Sequence, residues 1–243
     1  MLFKNGLVFM ENGAFEKADV RVKDGKIAEV GPNLPENGDE VKDIAGKRLV
    51  PGFVDIHSHG CGGSDFCDGT QEALQTMADT YLKAGVTTTL GTSTTLQPDT
   101  LRKVFRNYRQ FAETQTRGAR MIGVNMEGPF LSVKKRGAHI LEYLLPADFD
   151  LFSELNELSG GRIRQVDLAP EIENGMDFIR KASKVCTVCV AHTTAGYDQT
   201  LAAYEAGATS NTHMYNAMVG FSHREPGTVG AIFDSDTYAE LIC

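Results

Sequence analysis

The segment VPGFVDIHSHG, residues 50–60, decides how the rest of the chain is read. An apolar run ends in two histidines one residue apart, and a glycine follows. Residues two apart on a β-strand point the same way, so His57 and His59 can reach a common ion from one strand end. Five similar apolar runs come after it: VTTTLGT (86–92), RMIGVNME (120–127), RQVDLAPE (164–171), VCTVCVAH (185–192) and ATSNTHM (208–214). A seventh, YAELIC, occupies 238–243. Helix-like stretches separate them, among them QEALQTMADTYLKAG (71–85), DTLRKVFRNYRQFAET (99–114), GMDFIRKASK (175–184) and YDQTLAAYEAG (197–207). Several end in glycine after the last apolar position, a helix stop signal. Strands alternating with helices predict a parallel sheet under a helical layer.

Such units build either an open doubly wound sheet or a closed barrel. The polar residues favour the barrel, because His, Glu and Asn recur at the C-terminal ends of different strands. In β/α barrels that face carries the chemistry. The predicted fold class is therefore α/β, an incomplete TIM-type (β/α)8 barrel over residues 49–243 with strands one to seven. Residues 1–48 read differently. Short alternating runs are broken by turn signals at Asn5-Gly6, Asn12-Gly13, Asp24-Gly25 and Asn37-Gly38, a hairpin-rich pattern. They predict a small β-rich domain, part of a β-sandwich.

The 243 residues carry a formal net charge of −8, 42% hydrophobic and 23% charged residues. That is a globular composition whose acidity argues against nucleic-acid and membrane-surface partners. No run reaches the length of a membrane span, and the N-terminus lacks the apolar core and cleavage site of a signal peptide. A cytoplasmic location is expected. The five cysteines form no framework and are expected to be free thiols. Cys186 and Cys189 form a CxxC within a strand-like run, where residues three apart diverge, so they are read as buried apolar side chains.

Four of the six histidines end predicted strands. His57 and His59 close the first, His192 the fifth (VAHTT) and His213 the sixth (NTHMYNAM); Glu127 closes the third (NMEGPF). Four imidazoles and one carboxylate at one barrel mouth suit one or two divalent ions of borderline softness. Asp55 is either a hydrogen-bond partner for a histidine or a strand-end residue. Lys134, Lys135 and Arg136 are read as a solvated loop cluster, and His223 as a surface residue.

Taken together, PGFVDIHSHG with its Gly-rich CGG, NMEGPFL, KKRGAH, AHT, THMYNAM and HREPG resemble the N-acetylglucosamine-6-phosphate deacetylases of the amidohydrolase superfamily. The resemblance runs through essentially the whole chain. It implies that Glu127, His192 and His213 hold the main metal and that His57 and His59 hold a second. It also implies substrate contacts from Ala138, His139, Asn216, Ala217 and Arg224. Arg224 suits a phosphate, since its planar fork pairs with an oxyanion. Zinc is the expected metal, with iron or another divalent ion as alternatives. The family's members are expected to be homodimers acting on a small amino-sugar phosphate.

The implied reaction removes the N-acetyl group from N-acetylglucosamine 6-phosphate. In the resembled family an aspartate ending the eighth strand moves the protons. No such residue occurs here, so no catalytic residue is assigned, and two open sheet edges are expected. The favoured expectation is a C-terminally truncated product, inactive or impaired, with a degenerate pseudoenzyme and completion by another chain as alternatives. Two other functions are weighed. One is a non-catalytic binder of metal or sugar phosphate. The other is a dihydroorotase-like amidohydrolase, against which the fourth strand, ending LAPE, counts because it lacks the bridging lysine of that group.

Overall fold

The structure, a computed structural model, describes residues 1–242. The chain divides into two compact units, Met1–Gly52 and Phe53–Cys243.

The first unit is one five-stranded sheet built from β1 (Leu2–Phe9), β2 (Phe15–Lys23), β3 (Lys26–Gly31), β4 (Val41–Asp43) and β5 (Arg48–Leu49). β1, β2 and β3 pair antiparallel in sequence, and β4 and β5 lie parallel along β1. The Asp24-Gly25 signal acts as predicted. Both residues have positive φ, 52° and 72°, which a two-residue hairpin loop requires. Val8, Ala18 and Val20 form its small buried cluster.

The second unit opens with β6 (Phe53–Asp55) and a short hairpin of β7 (Gly60–Cys61) and β8 (Ser64–Asp65). It continues as α1 (Gln71–Lys83), β9 (Val86–Ser93), α2 (Pro98–Thr114), β10 (Arg120–Glu127), α3 (Phe149–Leu158), β11 (Ile163–Leu168) and α4 (Gly175–Ala182). It closes with β12 (Thr187–Val190), α5 (Tyr197–Glu205), β13 (Ser210–Asn211), α6 (Gly227–Phe233) and β14 (Tyr238–Ala239). The seven long-range strands form one parallel sheet in the order β14-β13-β12-β11-β10-β9-β6. The expected seventh strand, 238–243, is thus two residues of regular pairing, and Cys243 lies outside the described residues.

A flat sheet of seven strands would hold its edge strands roughly 29 Å apart, six spacings of about 4.8 Å. Here His57, just past β6, lies 3.0 Å from Glu240, just past β14. The sheet is therefore curled into an incomplete β/α barrel, with β6 and β14 as its two edges. Both edges are apolar and exposed: Phe53 is 66% and Tyr238 78% accessible.

The helices form because their apolar residues recur at helical spacing. α1 buries Leu74, Met77, Ala78 and Tyr81 on one face, and Thr70 caps it by accepting from Ala73 N–H. α2 starts at Pro98, where the missing N–H costs nothing, and buries Leu101, Val104, Phe105, Tyr108 and Phe111. These faces meet the outward side chains of the sheet, such as Val166, Leu168, Val188 and Val190, in one continuous core. Packing there is tight enough to require glycine at one point: a Cβ on Gly91 would enter the ring of Phe66. Among the described residues no helix is long and apolar enough to cross a membrane.

Candidate metal centre

The strand ends of the second unit converge on Glu127, which β10 carries inward and which is 2% exposed. Its Oε1 lies 3.1 Å from His192 Nε2 and 3.3 Å from His213 Nε2, and those two nitrogens are 3.0 Å apart. Its Oε2 lies 2.9 Å from His59 Nε2 and 3.5 Å from His139 Nε2. His57 Nε2 stands 3.6 Å from Oε1. Two sets of side chains are close enough to share an ion, His57 with His59 and Glu127, and Glu127 with His139 and His192. The triangle of Glu127, His192 and His213 is tighter still by the distances above.

The partners on the far side of each ring fix what the near side can do. His192 Nδ1 lies 2.8 Å from the carbonyl of Lys135. A carbonyl only accepts, so Nδ1 carries the hydrogen and Nε2 presents its lone pair to the cluster. His139 is the reverse case. The backbone N–H of Thr95 donates to its Nδ1 at 3.3 Å, so the ring hydrogen sits on Nε2 and points at Glu127. His192 is therefore ready to ligate, and His139 is ready to donate.

This arrangement fits a divalent cation. The Glu127 carboxylate Oε1 and the lone pair of a neutral His192 Nε2 are both acceptors, and they face each other at 3.1 Å with no hydrogen between them. His213 Nδ1 is buried with no partner among the described residues, so nothing behind the ring opposes the tautomer whose Nε2 lone pair faces the same point. Triangle edges of 3.0–3.3 Å are close to the roughly 3.3 Å between ligands of a tetrahedral ion with bonds of about 2.0–2.1 Å.

The electrostatics agree. Burial raises the pKa of the Glu127 carboxyl, yet the facing imidazoles of His139, His192, His213 and His57 outweigh it and hold that pKa far below the usual range. Burial lowers His57, but the carboxylates of Glu127, Glu240 and Asp167 together push it up to about 11. Burial raises the fully buried Asp167. The site demands positive charge, whether on an imidazolium or on an ion.

Backbone geometry marks the same residues. His192 has φ 43° and His213 φ 31°, left-handed values that cost a residue with a Cβ energy and cluster at functional sites. Strand alternation would send residue 192 outward with Val188 and Val190. The break after Val190 removes that constraint. Gly137, also left-handed, lets the Lys135–Gly137 turn lie against His192: a Cβ there would stand 3.3 Å from the ring.

A profile of the amidohydrolase family matches residues 48–235. The chain belongs to the amidohydrolase family. It is 34% identical over 244 residues to the N-acetylglucosamine-6-phosphate deacetylase of Lysinibacillus sphaericus, covering 100% of this chain and 63% of that protein. It is 32% identical over 234 residues to the N-acetylgalactosamine-6-phosphate deacetylase of Escherichia coli O157:H7, covering 96% and 61%. The crystal structure of the Pasteurella multocida N-acetylglucosamine-6-phosphate deacetylase superposes with a TM-score of 0.89 at 31% identity, over 99% of this chain and 63% of that one. The chain thus spans about three-fifths of the length of these relatives.

In this amidohydrolase, a cavity of about 1400 Å³ gathers the expected metal ligands His57, His59, Glu127, His192 and His213 together with Ala138 and His139. Asn216, Ala217 and Arg224 are not part of its lining. Asn216 and Arg224 are exposed on the loop after β13, and Ala217 gives its carbonyl to Thr193 N–H at 3.0 Å. His223 is exposed, as expected. Sequence reading missed three residues that meet His57 or each other inside the barrel, Glu240, Asp167 and Gln165. It also read Lys135 as solvated side chain when its carbonyl is what orients His192. Cys189 is buried and Cys186 partly so, and both are free.

Proposed function

We propose that these residues hold a divalent metal centre, zinc in the first instance, that serves hydrolysis of the N-acetyl group of N-acetylglucosamine 6-phosphate to glucosamine 6-phosphate and acetate. The observation that carries this is the close triangle of Glu127 Oε1, His192 Nε2 and His213 Nε2, in which the Lys135 carbonyl turns the His192 lone pair inward. Imidazole and carboxylate ligands suit zinc. The relatives' activity supports the substrate class, and the Escherichia coli relative makes the galacto epimer the second substrate to test.

When bound, the ion supplies Lewis acidity to the acetyl carbonyl and lowers the pKa of the attacking water. The chain's own residues set the rest. Glu127 balances the charge of the ion from a buried position. His192, held by the Lys135 carbonyl, keeps its lone pair on the site. His139 offers an N–H at the same mouth, where a developing oxyanion can accept it. Arg224 is the candidate phosphate partner on the family resemblance, from the exposed loop after β13. Hydrolysis also requires a group that takes the water's proton and returns it to the departing amine. The aspartate that the family resemblance places at the end of an eighth strand is not among residues 1–243, so turnover by these residues alone is proposed to be impaired. The cytoplasm is the proposed location, supported by four described cysteines that are all unpaired. A homodimeric assembly is proposed on the family resemblance alone.

The test is acetate release by zinc-loaded protein from N-acetylglucosamine 6-phosphate, from its galacto epimer and from the unphosphorylated sugar. The proposal expects the first to be preferred, with much faster turnover once the remainder of the relatives' length is supplied. Absence of acetate from both the short and the extended chain would overturn it.

A further inference from the structure

His57 is held from behind by a cluster that spans the barrel interior from β6 to β11 and β14. Its Nδ1 lies 3.0 Å from Glu240 Oε2 and 3.9 Å from Asp167 Oδ2. Gln165 Nε2 donates to the other oxygens of the same two carboxylates, to Glu240 Oε1 at 2.7 Å and Asp167 Oδ1 at 3.4 Å. Gln165 thus donates to both carboxylates, and His57 Nδ1 to Glu240 alone. The backbone of Glu240 is itself fixed, its N–H donating to the Asn211 carbonyl at 2.9 Å and its carbonyl accepting from Met214 N–H at 2.8 Å. Its side chain is 13% exposed. Asp167 is wholly buried, and its Oδ2 has no hydrogen-bond partner among the described residues, the His57 ring standing 3.9 Å away.

Carboxylates accept and do not donate when ionised, so this cluster keeps the ring hydrogen of His57 on Nδ1. Nε2 is then the ring atom aimed at Glu127, next to His59 Nε2 at the other carboxylate oxygen, and it presents a lone pair there once an ion replaces its proton. His59 has no comparable support, because its Nδ1 is buried without a partner. Of the two histidines, His57 is therefore the one whose orientation is enforced. A carboxylate behind a ligating imidazole fixes the ring and raises its basicity, and losing it typically weakens metal binding about 10–100-fold.

We propose that Glu240, backed by Gln165 and Asp167, is a positioning residue that makes His57, His59 and Glu127 a second metal site beside the one on Glu127, His192 and His213. This rests on the metal reading above and goes beyond it, since it assigns the occupancy of the second ion to a residue that touches no metal. Removing Glu240 then weakens one site and spares the other.

The experiment is a cobalt(II) titration of the whole chain, followed by visible absorption and by bound-metal analysis, with far-UV circular dichroism to confirm folding. The wild-type chain is expected to bind two equivalents. Glu240→Ala is expected to keep the first at wild-type affinity and to weaken the second about 10–100-fold. Glu240→Gln retains an oxygen that accepts from Nδ1–H, so it is expected to recover most of that loss and to fold where the alanine variant does not. In a His57→Ala background, Glu240→Ala is expected to add nothing, because the two act as one unit. Two equivalents of wild-type affinity in folded Glu240→Ala, or one equivalent in the wild type, would overturn this proposal alone. No cobalt bound by folded wild-type protein would overturn the metal reading with it.

Discussion

His192 Nε2 and His213 Nε2 face each other at 3.0 Å, and each lies within 3.3 Å of the same oxygen of Glu127. Since the Lys135 carbonyl holds the His192 hydrogen on Nδ1, the contact has no ring hydrogen to spare from that side. A carboxylate oxygen and a lone pair buried 3.1 Å apart call for positive charge, and the family to which the chain belongs gives the reason for a metal ion. Glu127→Gln replaces the charge with an amide of the same size. It is expected to abolish tight zinc binding while leaving the fold intact, measured by titration against a competing indicator.

Zinc should also stabilise the folded chain, because the unfolded chain has no such triangle. At a free concentration of about 100 times Kd the gain is about 2.7 kcal/mol. A chelator is expected to lower the melting temperature of the wild type by several degrees and to leave that of Glu127→Gln unchanged. Equal shifts in both would mean that zinc binds elsewhere.

His139 should separate from the ligands. Its Nδ1 accepts from Thr95 N–H, so it presents a donor to the site. His139→Asn is expected to retain zinc within a few-fold. In the extended, active chain it is expected to lower kcat about 100-fold, the scale of losing one oxyanion donor. Loss of zinc on this substitution would make His139 a ligand instead.

The thiols give a test of burial with a defined pH dependence. Burial pushes Cys67 and Cys186 up to about 12 and raises Cys61 and Cys189 as well. At pH 8 a thiol of pKa ~12 is about one part in ten thousand thiolate, against about a quarter for a free cysteine of pKa ~8.5. Alkylation of Cys67 and Cys186 in the folded chain should therefore be very slow at pH 8 and rise about tenfold per pH unit. The folded chain keeps protons that the unfolded chain releases, so the associated stability is present below about pH 8.5 and is lost as pH rises toward 12. Peptide-resolved mass spectrometry after timed labelling reads this directly.

Packing is tested at Gly91, where a methyl group would enter the Phe66 ring, itself packed against Phe105 and Tyr108. Gly91→Ala is expected to cost about 1–3 kcal/mol, the usual scale of overpacking, seen as a lower urea midpoint at unchanged slope. No change in midpoint would show that the ring moves aside freely.

The barrel was legible because its signals are local. Apolar strands alternate with capped amphipathic helices, and His57, Glu127, His192 and His213 sit where strands stop. What was not legible depends on atoms that no side-chain pattern encodes. His192 enters the cluster through a left-handed backbone and a carbonyl from Lys135, and neither is visible in the residue types. The second cluster left a fainter trace. A parallel strand covered on both faces should be nearly all apolar, yet RQVDL carries Gln165 and Asp167 two apart, and YAELIC carries Glu240 in an apolar run. Those polar breaks at strand spacing were the signal for an occupied barrel interior. Asn216, Ala217 and Arg224 lie on an irregular loop, whose position relative to the cavity depends on backbone turns that motif order does not specify.

The most direct test of the metal centre is anomalous scattering from crystals of this chain soaked in zinc, with data collected on both sides of the zinc edge. A peak bounded by Glu127 Oε1, His192 Nε2 and His213 Nε2, and lost below the edge, is the predicted result. Well-ordered side chains at those three positions with no peak among them would contradict the assignment of a metal site there.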